Sequence, residues 1–117
     1  MKHRSTKTIL GRKAAPRKAL LHNLATSLIL YERIKTTEAK AKAVKPLVEK
    51  LITKSKAGGR NAKRELEMVL PDKKAVRKVL DILAPLYKDR PGGYTRIIKL
   101  APRQGDGAKV VQIEFVK

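Results

Sequence analysis

Cysteine is absent from this 117-residue chain, which excludes a disulfide framework and a thiolate zinc site alike. The two histidines, His3 and His22, are too few to build a metal site by themselves, and neither a metal nor a cofactor is expected. Tryptophan is missing too; one Phe and three Tyr make up the whole aromatic complement. No apolar run approaches the roughly 18 residues that cross a bilayer, and the opening residues lack the hydrophobic stretch of a secretory signal. Their Arg- and Lys-rich composition is that of an organellar transit peptide, but Gly11 and Pro16 interrupt the amphipathic helix such a peptide needs.

Negative charge is the most informative scarcity. The first acidic residue is Glu32, and Lys2, Arg4, Lys7, Arg12, Lys13, Arg17 and Lys18 precede it without compensation. Over the whole chain, 29 Lys plus Arg stand against 10 Asp plus Glu, a formal net charge of +19. Like charges repel and lower the stability of a compact state, so the imbalance points to a polyanionic partner, with nucleic acid the leading candidate. The 42% hydrophobic fraction still suffices for a real core, and the length suits a single domain.

Residues 1–15 read as a basic arm and 16–117 as one globular domain. Beyond Met1 the arm offers only Ile9 and Leu10 as bulky apolar groups. Ordering a backbone residue costs about 1 to 2 kcal/mol, and burying one aliphatic side chain returns only about 1.5 to 3 kcal/mol. The arm is therefore expected to be mobile alone and to fold against its partner. Pro16 sits where a first helical residue belongs, followed by Leu20, Leu21, Leu24, Leu28 and Tyr31 at helical spacing. Arg33 to Thr37 is a short strand or an extended connector. Thr36 or Thr37 caps a second helix with Val44, Leu47, Val48, Leu51 and Ile52 as its stripe, kinked at Pro46.

Gly58-Gly59 ends that helix, and Asn61 is placed to cap a third carrying Leu66, Val69 and Leu70. Asp72 caps a fourth with Val76, Val79, Leu80 and Leu83. After Pro85 the pattern changes to a hairpin: Tyr94 to Leu100, a Gly105-Asp106-Gly107 turn, and Lys109 to Val116. There Val111, Ile113 and Phe115 alternate with Gln112 and Glu114.

Catalytic constellations are missing. The acids are scattered beside Lys or Arg, and Gly92-Gly93 is no P-loop, because no Gly-Lys-Ser/Thr follows it at a helix start. Arg90-Pro91-Gly92-Gly93-Tyr94 reads as a tight turn whose glycines also allow backbone amides to approach a phosphate, with Arg90 and Arg96 on either side. Arg17 and Lys18 sit at the helix end that disfavours cations, a penalty that external phosphate reverses. His3 can donate to phosphate when the arm docks, whereas His22 is a boundary residue of the first helix. Arg60, Lys63, Arg64, Lys73, Lys74, Arg77 and Lys78 crowd one region and read as a solvated face only partly neutralised by Glu65, Glu67 and Asp81. With so few aromatics, binding is expected to rest on phosphate contacts and the shape of folded RNA rather than on base stacking.

The chain resembles the family of bacterial large-subunit ribosomal protein number seventeen. The carrying segments are Met1-Lys2-His3-Arg4, Leu10-Gly11-Arg12, the run from Arg17 to Ile29, Arg33-Ile34-Lys35-Thr36-Thr37 with Ala39-Lys40-Ala41, and the run from Tyr87 to Ile97 around Arg90-Pro91-Gly92-Gly93-Tyr94. The resemblance implies an α+β, two-layer fold, four helices on a small mixed three-stranded sheet in which the segment around Ile34 supplies a strand. It also implies a cytoplasmic place in the ribosome, near the outer end of the peptide exit tunnel. Large-subunit rRNA and neighbouring ribosomal proteins would be the partners, with no membrane and no small-molecule substrate. The expected rRNA-binding residues are Lys2, His3, Arg4, Lys7, Arg12, Lys13, Arg17, Lys18, Arg90, Gly92, Gly93, Tyr94 and Arg96. An architectural DNA-binding protein is the competing reading; it would share the charge, favour duplex DNA and dimerise.

Overall fold

Helices and strands form where apolar periodicity and capping residues coincide, and a computed structural model describes the outcome for residues 14–102, 105, 107 and 109–116. Lys2, His3, Arg4, Lys7, Arg12 and Lys13, with the rest of the expected arm up to residue 13, lie outside the described residues, whereas Ala14 and Ala15, read as its end, already belong to a helix. Helix α1 (Ala14–Tyr31) places Pro16 in its first turn, where backbone N–H groups have no intrahelical partner to lose. Strand β1 (Arg33–Thr37) follows directly. The Thr37 hydroxyl then accepts from the Lys40 N–H and starts α2 (Glu38–Lys56), with Glu38 favourably placed in the first turn. Pro46 lies on the exposed side of α2, and the helix runs through it without a break.

Gly58, at φ 71°, opens α3 (Gly59–Val69); this helix begins two residues before Asn61, which is therefore inside it and not its cap. Asp72 does cap α4 (Lys73–Lys78), its Oδ1 accepting from the Lys74 N–H at 2.8 Å. The rod continues through a π-helical turn, Val79–Leu83, into the short α5 (Ala84–Leu86). The Ala84 N–H reaches back five residues to the Val79 carbonyl. Pro85 accounts for this, because it has no N–H to offer the Asp81 carbonyl and its ring crowds that oxygen, so a wider turn relieves the clash.

Strands β2 (Thr95–Lys99) and β3 (Val110–Phe115) form the expected hairpin, and β3 also pairs with β1 in the order β1-β3-β2. Both pairings are antiparallel, so the sheet is not mixed as anticipated. Ile34, Ile113 and Ile97 stand in one cross-strand row facing the helices, whereas Arg33, Glu114 and Arg96 form the adjacent row on the uncovered face. The helix layer packs on the first face to give one core that includes Leu28, Ile29, Val44, Val48, Ile52, Leu66, Val79 and Ile113. Each such aliphatic burial contributes about 1.5 to 3 kcal/mol.

The stripe expected for α1 is rotated. Ala25, Leu28 and Ile29 are buried, Leu21 and Leu24 pack at the margin, and Tyr31 is 71% exposed. Glu32 ends the helix at φ 68°, the only positive φ outside glycine among the described residues. A left-handed conformation costs a residue with a Cβ about 1 to 2 kcal/mol. Contacts on several sides hold it: its N–H donates to Leu28 O at 2.7 Å, its carbonyl accepts from Phe115 N at 3.1 Å, and its carboxylate meets Lys78 Nζ at 2.8 Å.

Glu49 fastens α2 to the sheet. Its Oε2 accepts from the Thr95 hydroxyl at 2.8 Å, the Thr95 N–H at 3.2 Å and Lys45 Nζ at 3.2 Å. Burial pushes this carboxyl up, but the Thr95 and Lys45 hydrogen bonds outweigh it and hold the group below its ordinary range. A depressed folded pKa gives stability that is present above the unfolded value and lost as pH falls through the folded one. Glu49→Gln should therefore cost about 1 kcal/mol near neutrality, the difference between charged and neutral acceptors. The gap between urea midpoints of the two proteins should narrow when the measurement is repeated at about pH 3, below the ordinary carboxylate range. An equal gap at both pH values would contradict this account.

Candidate nucleic-acid interface

Three cationic regions emerge among the described residues. The first is the start of α1, where Arg17 is half-buried and Lys18 exposed. Burial first, and the Lys18 charge second, push the imidazole of His22 one turn along below its ordinary value. That keeps His22 neutral near pH 7, a packing residue and not an added cation.

The second region is the turn between α5 and β2, and here the expectation for Tyr94 is corrected. Its side chain is fully buried, 5.0 Å from the Tyr87 ring between centroids, with Tyr87 in turn 6.3 Å from Phe115. The Tyr94 hydroxyl lies 3.2 Å from Thr53 Oγ1 and accepts from Lys56 Nζ at 3.0 Å, while the Tyr87 hydroxyl donates to Val116 O. Burial raises the Tyr94 phenol, but those hydrogen bonds bring it below its ordinary value. Its ring holds the turn from inside and offers no face to a partner.

Lys56 also donates to Arg90 O, so one ammonium ties α2 to both ends of the turn. Gly93 sits at φ 64°, with open space where a Cβ would point, so the glycine is required by conformation and not by crowding. Gly92 is half-buried, and Arg90 is exposed, its guanidinium donating to Gly93 O at 3.3 Å. Arg96 is brought to the uncovered sheet face and not to this turn. There Glu114 holds it through Nε at 2.7 Å and a second nitrogen at 2.6 Å, and this pairing keeps the Glu114 carboxyl below its ordinary range.

The third region, which the sequence presented as a solvated face, is the outer surface of α3 and α4. A cleft of about 360 Å³ between them is lined by Lys63, Lys73 and Arg77 over a floor of Val76 and Leu80, with Glu67 and Asp81 at its sides. No ion pair among the described residues engages Arg60, Lys63, Arg64, Lys73, Lys74 or Arg77. Lys78 is the exception on this rod, since it pairs with Glu32 and donates to Leu30 O at 3.1 Å. Spacing supplied the signal: the rod repeats cations at Lys73, Lys74 and Arg77 around a buried Ala75–Val76 stripe, which presents them outward.

Chemically, these surfaces supply hydrogen-bond donors and positive charge and little else. Among the described residues there is no cluster of three or more metal-ligating side chains, and no helix is long and apolar enough to cross a membrane. Three of the four aromatics, Tyr87, Tyr94 and Phe115, belong to the core.

Comparison with known proteins gives one consistent family. A family model described as ribosomal protein L17 matches residues 20–116. The chain is 52% identical over 112 residues to large ribosomal subunit protein bL17 of an Exiguobacterium species, covering 92% of this chain and 96% of that protein. It is 47% identical over 116 residues to the protein of the same name from Thermomicrobium roseum, covering 99% of each. Against that of Chlorobium limicola it is 54% identical over 107 residues, 92% of this chain and 71% of the relative.

Proposed function

This chain belongs to the ribosomal protein L17 family, and from that premise we propose that it binds and stabilises folded large-subunit rRNA, mainly through Lys and Arg contacts to phosphates. It is a structural protein of the ribosome and not an enzyme. The observation that carries the RNA reading is the exposed α3–α4 surface, where Arg60, Lys63, Arg64, Lys73, Lys74 and Arg77 lack ion-pair partners among the described residues in a chain of net charge +19. A fold that spends no carboxylates on those cations leaves them for an external polyanion.

The N-terminal residues Lys2, His3, Arg4, Lys7, Arg12 and Lys13 extend the same contact, together with Arg17, Lys18 and Arg90. Gly92 and Gly93 expose backbone at the turn, and Arg96 acts from the sheet face. The site lies beside the outer end of the peptide exit tunnel, next to other ribosomal proteins.

The test is reconstitution. The full chain, added to large subunits depleted of it, is expected to co-sediment with them at moderate salt and to protect rRNA backbone from hydroxyl radicals around the tunnel's outer end. Release by an equal phosphate concentration of duplex DNA, with no rRNA protection, would favour the architectural DNA reading instead. Protections confined to rRNA far from the tunnel would remove the placement while leaving RNA binding intact.

A further inference from the structure

Tyr31 is the one aromatic the fold leaves out of its core, and the surroundings of its ring are built. It lines a groove of about 580 Å³ with Glu32, Arg33, Arg96, Glu114 and the edge of Phe115. Glu32, beside it, is held in the left-handed region by bonds to Leu28, Phe115 and Lys78, which fixes where the end of α1 points. Strain of this kind is kept only where the surrounding structure over-determines it, and it concentrates at binding positions.

The charges around the groove select the occupant. Glu32 is matched by Lys78. In the neighbouring cross-strand row, one carboxylate, Glu114, stands between two guanidiniums, Arg33 and Arg96, and accepts hydrogen bonds from Arg96 and from the neutral Gln112 amide. One positive charge is left in surplus beside an exposed π-face. Resting on the rRNA-binding reading, we propose that this groove seats an unstacked RNA nucleobase, its plane stacked on the Tyr31 ring and its phosphate held by Arg33. A protein neighbour with an apolar side chain would gain from the ring but not from the surplus charge.

The experiment uses the full chain and the variants Tyr31→Phe, Tyr31→Leu, Tyr31→Ala and Arg33→Ala, titrated against the large-subunit rRNA fragment that the wild type protects. Tyr31 is exposed, so these substitutions leave the core untouched. Tyr31→Phe should bind within about twofold of wild type, while Tyr31→Ala and Tyr31→Leu should weaken binding roughly fivefold to 150-fold, the worth of one stacked base. The slope of log affinity against log salt should stay at the wild-type value in the Tyr31 variants and fall by about 1 in Arg33→Ala. Tyr31→Ala binding the naked RNA as well as wild type would overturn the proposal and assign the ring to a protein neighbour. Tyr31→Leu binding as well as Tyr31→Phe would overturn it too, since contact would then suffice without stacking. Failure of the wild type to bind rRNA at all would strike the parent reading, a result distinct from either.

Discussion

Raising salt from about 50 to 200 mM is expected to weaken this protein's association with its rRNA by roughly 10³- to 10⁵-fold, the range for six to ten phosphate contacts. The cause is counterion release: each phosphate that a Lys or Arg neutralises frees a condensed cation, and added salt opposes that release. For about eight contacts, log affinity should fall against log salt with a slope of roughly 6 to 7, between the single-strand and duplex coefficients. The α3–α4 surface makes the prediction residue-specific. Lys63→Ala, Lys73→Ala and Arg77→Ala should each reduce the slope by about 1, and all three remove exposed cations that no ion pair among the described residues engages. Their unfolding free energies from urea titration should stay within about 0.5 kcal/mol of wild type, because exposed substitutions away from caps and cores do little to stability. Filter binding across a salt series reads the slope directly, and a flat series would remove the phosphate-contact mechanism.

Replacing Tyr94 should have the largest effect on stability. Tyr94→Ala is expected to cost about 3 to 5 kcal/mol, the usual range for deleting a buried ring, out of a total of about 5 to 15 kcal/mol for a domain of this kind. The ring is fully buried against Tyr87, and its loss strips Lys56 and Thr53 of a common partner. Tyr94→Phe keeps the packing and removes only the hydroxyl, so it should cost about 1 to 2 kcal/mol. Urea denaturation of the three proteins separates the terms. A Phe variant as unstable as the Ala variant would show that the hydroxyl network, and not the aromatic packing, carries the site.

Much of the fold was legible because its signals were local. Thr37 and Asp72 cap the helices they were expected to cap, the α2 stripe of Val44, Val48, Leu51 and Ile52 is buried with Leu47 at its margin, and the alternation through Val111, Ile113 and Phe115 is that of a half-buried strand. Local signals failed where two solutions satisfied them equally. Helix α1 is apolar on several sides through Leu20, Leu21, Leu24, Leu28, Ile29 and Leu30, so spacing could not choose its inner face, and Tyr31 went to the wrong one.

Tyr94 was misplaced for a different reason. A turn motif names residues that stand together in sequence, whereas its hydroxyl is held by Thr53 and Lys56 on a distant helix. The sheet's wholly antiparallel pairing likewise depends on which strand β3 meets on its second edge, a long-range choice absent from any short window. Of the candidate site, the cationic character was plain from composition. Its concentration on α3 and α4 required the helices to be packed before their shared outer face existed.

The order β1-β3-β2 has a consequence for how the molecule is born. β3 is the middle strand yet follows every helix in the chain, and it alone joins β1 to β2. A ribosome making this protein has already extruded both outer strands before the segment that unites them arrives, so the nascent chain cannot close its sheet. Its cations therefore meet a crowded, anionic cytosol before the scaffold that will space them is finished. Translation must run through Val110–Phe115 before the β-layer becomes a single cooperative unit.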